Sequence, residues 1–159
     1  MAGYSGTPLP QKLGIKPGAR LGLVRPPEGF GKTLGPLPPG VTPRPVGSGR
    51  VPFDVIVCFA RGSKDLARDF PALARRLDPA GGLWIGWPKK SSGVATDLTE
   101  AEVRGRGLAL GLVDNKVCAI DDVWSGLRFV VRLADRPPRA LRAVRQPRAT
   151  RSRSGQGSS

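Results

Sequence analysis

Residues Leu77–Glu102 read LDPAGGLWIGWPKKSSGVATDLTEAE, and the rest of the chain is arranged around them. Leu83-Trp84-Ile85-Gly86-Trp87 is a short apolar run between Gly81-Gly82 and Pro88. A strand covered on both faces of a sheet has this pattern. Lys89-Lys90-Ser91-Ser92-Gly93 follows at once, so cations and hydroxyls sit where that strand must end. Upstream, Leu66, Phe70, Leu73, Ala74 and Leu77 fall on one helical face, with Ser63 as a candidate cap and Pro71 as a kink or restart. Asp78-Pro79-Ala80-Gly81-Gly82 closes that helix and opens the strand. Downstream, Thr99-Glu-Ala-Glu102 fits a capping box, and Asp97 adds negative charge at the start of a second helix. Val103, Leu108, Leu110 and Leu112 supply its irregular apolar stripe, which Gly105 and Gly107 weaken.

Working outward, Phe53–Ala60 (FDVIVCFA) is the strongest strand signal, being β-branched, aromatic and almost continuously apolar. Ala19–Val24 (ARLGLV) reads as a first strand after the turn Leu13–Gly18. A short strand near Val41–Val46 is confined to an edge by Pro43 and Pro45. Val113–Ile120 and Gly126–Leu133 read as the last strands, and the short connection Asp121–Ser125 makes them antiparallel. The expected organisation is one α/β domain over residues 1–135, with 1–12 as a loose arm and 136–159 as a disordered tail rich in Arg, Ser and Pro.

Composition removes several chemistries. The 159 residues contain no histidine and only two cysteines, Cys58 and Cys118, each inside an apolar run. That leaves no credible zinc ligand set, no histidine-based serine or cysteine hydrolysis, and two buried free thiols rather than a disulfide. No apolar run approaches the roughly 20 residues a membrane span needs. The N-terminus lacks the apolar stretch of a secretory signal, so a cytoplasmic location is expected.

Gly31-Lys32-Thr33 after a strand invites comparison with a phosphate-binding P-loop. Position 26, which that motif needs as glycine, is Pro26, followed by Pro27; proline has no N–H to give a phosphate. The net charge is +14, and half of it comes from seven arginines in the last 24 residues, where there is no acid. Six of them, from Arg136 to Arg151, recur every third residue, a spacing that would align them along a polyproline-like ribbon. Both parts of the chain are cationic, so attraction to polyanions such as nucleic acid is expected.

The order of elements resembles a small Rossmann-like sheet of the class I S-adenosylmethionine methyltransferase type, with its closing antiparallel strand. Leu13–Val24 (LGIKPGARLGLV) looks like the approach to that family's first strand, and Leu77–Ile85 (LDPAGGLWI) like its passage from helix to fifth strand. Four phrases, MAGYSGTPLPQKLGIKPG, WPKKSSGVATDLTE, LVDNKVCAIDD and WSGLRFVVRLADR, also resemble a family of small bacterial proteins defined only as a domain of unknown function. That likeness covers about residues 1–136 and implies no activity. The methyltransferase resemblance implies S-adenosylmethionine, held by a Gly-rich turn after the first strand and by an acid after the second. Here those places hold Arg25-Pro26-Pro27-Glu28-Gly29 and Val46-Gly47-Ser48, leaving Glu28 as a weak cofactor-binding candidate from a different strand.

In open α/β sheets ligands bind outside the carboxyl ends of the strands. That rim is expected to gather Arg61, Lys89, Lys90, Ser91, Ser92, Asp122, Trp124 and Ser125. Lysines with hydroxyls bind a phosphate or carboxylate, and Trp87 or Trp124 offers a stacking surface for a base or ring, unless the tryptophans pack the core. Asp121 and Asp122 would anchor the lysines as ion pairs. The sequence identifies no catalytic residue, metal site or resident cofactor. Three functions follow. The leading expectation is a non-catalytic module that binds nucleic acid or a phosphorylated metabolite at this rim. The alternatives are a divergent S-adenosylmethionine-dependent methyltransferase-like enzyme and a protein-interaction platform.

Overall fold

A computed structural model describes residues 7–136. The first half of the N-terminal arm and the tail beyond Arg136, expected to be disordered, lie outside the described residues. Six strands form one sheet: β1 (Leu21–Val24), β2 (Arg44–Pro45), β3 (Phe53–Phe59), β4 (Leu77–Pro88), β5 (Leu112–Ala119) and β6 (Trp124–Val131). Their order is β2-β1-β3-β4-β6-β5. The first four strands in that order are parallel, and β6 runs antiparallel to both β4 and β5. This is the methyltransferase-type Rossmann-like sheet, with the antiparallel strand inserted beside the edge.

The helices are α1 (Leu9–Lys12), α2 (Phe30–Leu34), α3 (Ser63–Arg76) and α4 (Glu100–Ala109). Strand β3 is apolar throughout because both faces are covered. Ile56 and Cys58 face a core closed by Leu66, Phe70 and Leu73 of α3 and Val103 of α4. Val55, Val57 and Phe59 face a second core with Leu13, Ile15, Phe30, Leu34 and Trp84. The described part of the arm docks on this second core. Pro10 is buried, and the fully buried Trp84 indole donates to the Leu13 carbonyl at 3.0 Å, a bond contributing about 1 kcal/mol.

Several local expectations shift. Pro71 lies inside a continuous α3, and β4 begins at Leu77 rather than Leu83. The pairing jumps from Phe53↔Leu77 to Val55↔Gly82, so residues 78–81 form a wide bulge at the amino end of β4. Strand β2 is two residues long, with Pro43 before it and Pro45 as its last residue. Thr99 caps α4 by accepting the Glu102 N–H at 3.2 Å. The return half of the capping box is replaced: the Glu102 carboxylate accepts the Ser63 hydroxyl at 2.7 Å and the Arg106 guanidinium at 3.2 Å. Gly107 is the point where α4 meets the sheet, since a Cβ there would sit 2.1 Å from the Phe129 ring. The glycine that weakens the helix lets it approach.

Candidate functional site

The chain leaves β1 toward β2 on one side and returns to β3 on the other, so the topological switch point lies between the carboxyl ends of β1 and β3. Backbone at this place is shaped by Arg25, whose φ of 51° is the one positive value at a non-glycine residue among those described. Its guanidinium forms an ion pair with Asp69 of α3, across the crevice mouth. Asp65, one turn earlier, accepts the Arg61 N–H at 3.2 Å and the Arg68 guanidinium at 2.8 Å. These bonds hold the Asp65 carboxyl below the ordinary range, the Arg61 N–H contributing most.

Ser63 is the first residue of α3 rather than its cap. Its N–H donates to Asp97 Oδ1 at 2.8 Å, and Thr96 Oγ1 donates to the Arg61 carbonyl at 2.8 Å. The loop after β4 therefore clips the loop after β3 and satisfies the start of α3 from 34 residues away. Asp69 and Asp97 are the acids that organise this end, and sequence reading gave neither that role. Each acts on a residue more than thirty positions off, or across the sheet, which no local pattern reveals.

The expected rim residues do gather at the carboxyl ends, in altered roles. Trp124 is 5% exposed, packs edge-on against Phe59 at 5.0 Å between ring centres, and carries the Arg61 guanidinium 5.2 Å from its centroid. Trp84 and Trp87 are buried too, so no tryptophan offers a face for stacking. The Ser92 hydroxyl is used within its own turn, donating to the Lys89 carbonyl at 2.6 Å and accepting the Val94 N–H at 3.1 Å. The Lys89 N–H donates to the Val123 carbonyl at 2.7 Å, and Ser125 pairs with Trp87 in the β4–β6 ladder. Lys90, Ser91 and Asp122 are exposed. Asp121 shapes the turn by accepting the N–H groups of Val123 and Trp124, each at 2.8 Å. Among the described residues no lysine forms an ion pair with Asp121 or Asp122.

Other expectations resolve nearby. Lys32 and Thr33 lie in the five-residue α2, where Thr33 Oγ1 turns back to the Gly29 carbonyl at 3.4 Å, and Glu28 is exposed before it. Among the described residues no cluster of His, Cys, Asp and Glu could hold a metal, and no helix is long and apolar enough to cross a membrane. Both cysteines are free; burial pushes the Cys58 thiol up to about 12 and raises Cys118 as well. Neither is a nucleophile at neutral pH.

No known family and no curated protein matches the chain by sequence. Solved structures do match in fold. DhpI in complex with SAH has a TM-score of 0.54 at 11% identity, over 77% of this chain and 81% of that one. A SAM-dependent methyltransferase from Aquifex aeolicus has 0.52 at 17%, over 76% and 87%. Magnesium protoporphyrin IX methyltransferase from Synechocystis with bound SAM has 0.53 at 10%, over 77% and 74%. The fold is therefore methyltransferase-like. This likeness stands against the leading expectation of a non-catalytic anion-binding module and against the expectation that the chain is not an enzyme; what it shows of this chain is the fold.

The family's manner of holding S-adenosylmethionine is not reproduced. The Gly-rich turn is replaced by Arg25 and two prolines, and residues 46–52, between β2 and β3, carry no acid. The cleft beside the switch point, lined by Val24, Val46, Gly47, Asp69, Leu73 and Arg76, holds ≈ 200 Å³. Ligand pockets ordinarily run from about 300 to 1,000 Å³. The residues present do not fit the cofactor in the family's way.

Proposed function

We propose that this chain is a divergent methyltransferase-like enzyme whose ligand crevice is the switch point between β1 and β3. The observation that carries the reading is the sheet itself: its strand order and inserted antiparallel strand belong to a fold shared with S-adenosylmethionine-dependent methyltransferases. Fold similarity of this depth supports a class of enzyme and leaves the acceptor unspecified. S-adenosylmethionine is the cofactor the reading implies. Asp69 is the carboxylate lining the cleft, paired with Arg25 and Arg68, and it would meet hydroxyl groups of a ligand in place of the Arg25 pairing. The narrower likeness to the small bacterial family, and a cytoplasmic location, belong to this proposal.

The test is thermal denaturation of the full chain with increasing S-adenosylmethionine or S-adenosylhomocysteine. A ligand that binds the native state stabilises it by about 2.7 kcal/mol at a hundredfold excess over Kd. A saturable rise in Tm is expected, with affinity lowered about tenfold in Asp69→Asn, the loss expected for a hydrogen bond to a charged group. No rise with either compound sinks the cofactor reading. A rise that Asp69→Asn leaves unchanged keeps the cofactor and removes Asp69 from its site.

A further inference from the structure

A roomier cleft than the one at the switch point lies at the opposite end of the sheet. It occupies ≈ 420 Å³ at the amino ends of the parallel strands, between the segment after α1 and the bulge at residues 78–81. Lys16, Gly18, Asp54, Gly81 and Arg128 are among its lining residues. The bulge opens the space, and Gly81 lets it pass close to β3: a Cβ there would sit 2.4 Å from the Asp54 carbonyl oxygen.

Arg128 is a cation on the wall of this cleft. It pairs with Trp84 across the β4–β6 ladder, and its guanidinium lies over Gly82, where a Cβ would come within 2.4 Å of Nε. Strand β4 thus leaves a gap that this guanidinium fills. Half-buried, it donates to the neutral Asn115 side chain at 3.3 Å, and among the described residues it has no carboxylate partner. Burial and the neighbouring Arg136 both disfavour its charge. A partly desolvated cation beside another cation is favoured by an anion that joins it. The acid in the cleft, Asp54, uses Oδ2 to accept the Arg20 N–H at 2.7 Å. Lys16 is exposed at the cleft and adds a second cation.

We infer that this amino-end cleft is a second binding site, taking a phosphate-bearing small molecule whose dianionic group lies between Arg128 and Lys16. A guanidinium presents parallel N–H donors that match phosphate oxygens, and two cations suit a dianion better than a carboxylate. The space exceeds a bare phosphate, so the remainder of the molecule would lie along the glycine-lined wall. The site is separate from the switch-point crevice and does not depend on the methyltransferase-like reading.

The experiment is calorimetric titration of the full chain with pyrophosphate, and with acetate as the comparison. Saturable pyrophosphate binding is expected, weakened about tenfold in Arg128→Gln and about threefold or more in Lys16→Gln, with acetate much weaker. Lys16 is exposed, so its variant tests the site even if Arg128→Gln unfolds. The variant Lys89→Ala/Lys90→Ala, at the other end of the sheet, should bind as the parent does. Absence of saturable binding overturns the proposal, as does parental affinity in Lys16→Gln. Equal weakening in the Lys89/Lys90 variant also overturns it, because adsorption to general positive charge would then explain the signal.

Discussion

At the carboxyl ends of the strands Arg25 pairs with Asp69, Asp65 takes the Arg61 N–H, and Asp97 takes the Ser63 N–H. At the amino ends Arg128 lies over Gly82 with a neutral amide as its partner. The cleft beside the first set is ≈ 200 Å³; the one beside the second is ≈ 420 Å³. Strand polarity says which end of a Rossmann-like sheet carries the chemistry. It does not say how full that end is. In this chain the carboxyl end is braced by its own acids and by a buried tryptophan, while a bulge in β4 borders the wider cleft at the other end.

The sharpest way to break this contrast is Trp124. As a core residue wedged against Phe59 its replacement by alanine should cost about 3–5 kcal/mol. Chemical denaturation measures this directly. A loss under about 1 kcal/mol would mean that the ring is expendable to packing and free for a ligand, contrary to its burial.

The two glycines of α4 make a second, smaller test. Gly107→Ala forces a methyl into the Phe129 ring and should destabilise by about 1–3 kcal/mol. Gly105 has no neighbour within 4 Å of an added Cβ, so Gly105→Ala should stabilise by about 0.5–1 kcal/mol. Denaturation midpoints of the pair should move in opposite directions. Movement in the same direction would show that α4 does not rest on β6 through Gly107.

The smallest effect concerns acid. The Asp65 carboxyl is held below its ordinary 3.8, first by the Arg61 N–H and then by Arg68. A folded-state value below the unfolded one gives stability that is present above pH 3.8 and lost as pH falls through the folded value. Melting temperatures from pH 6 down to pH 2 should therefore fall slightly less steeply for Asp65→Asn than for the parent. Parallel curves would remove Asp65 from the bracing of the loop after β3.

Much of the fold was legible because it rests on local pattern. Phe53–Ala60 announced a strand, Leu83–Trp87 a strand covered on both faces, Leu66, Phe70 and Leu73 one helical face, and Thr99 a cap. What escaped was long-range. Asp97 completes a helix start 34 residues earlier, Arg25 reaches Asp69 on another element, and Arg128 needs the gap at Gly82 in a neighbouring strand. None of these pairs leaves a periodic trace. The rim residues were placed at the correct end by topology, but whether Trp124 pointed outward or into the core depended on Phe59 and the register of β6.

The most direct measurement is amide hydrogen exchange of the full chain with and without saturating S-adenosylhomocysteine. The account predicts slowed exchange at residues 24–30 and 60–63, the loops that leave β1 and β3, with little change at 14–19 and 78–82 at the amino end. Unchanged exchange throughout, or protection confined to the amino-end segments, would contradict a methyltransferase-like crevice at the switch point.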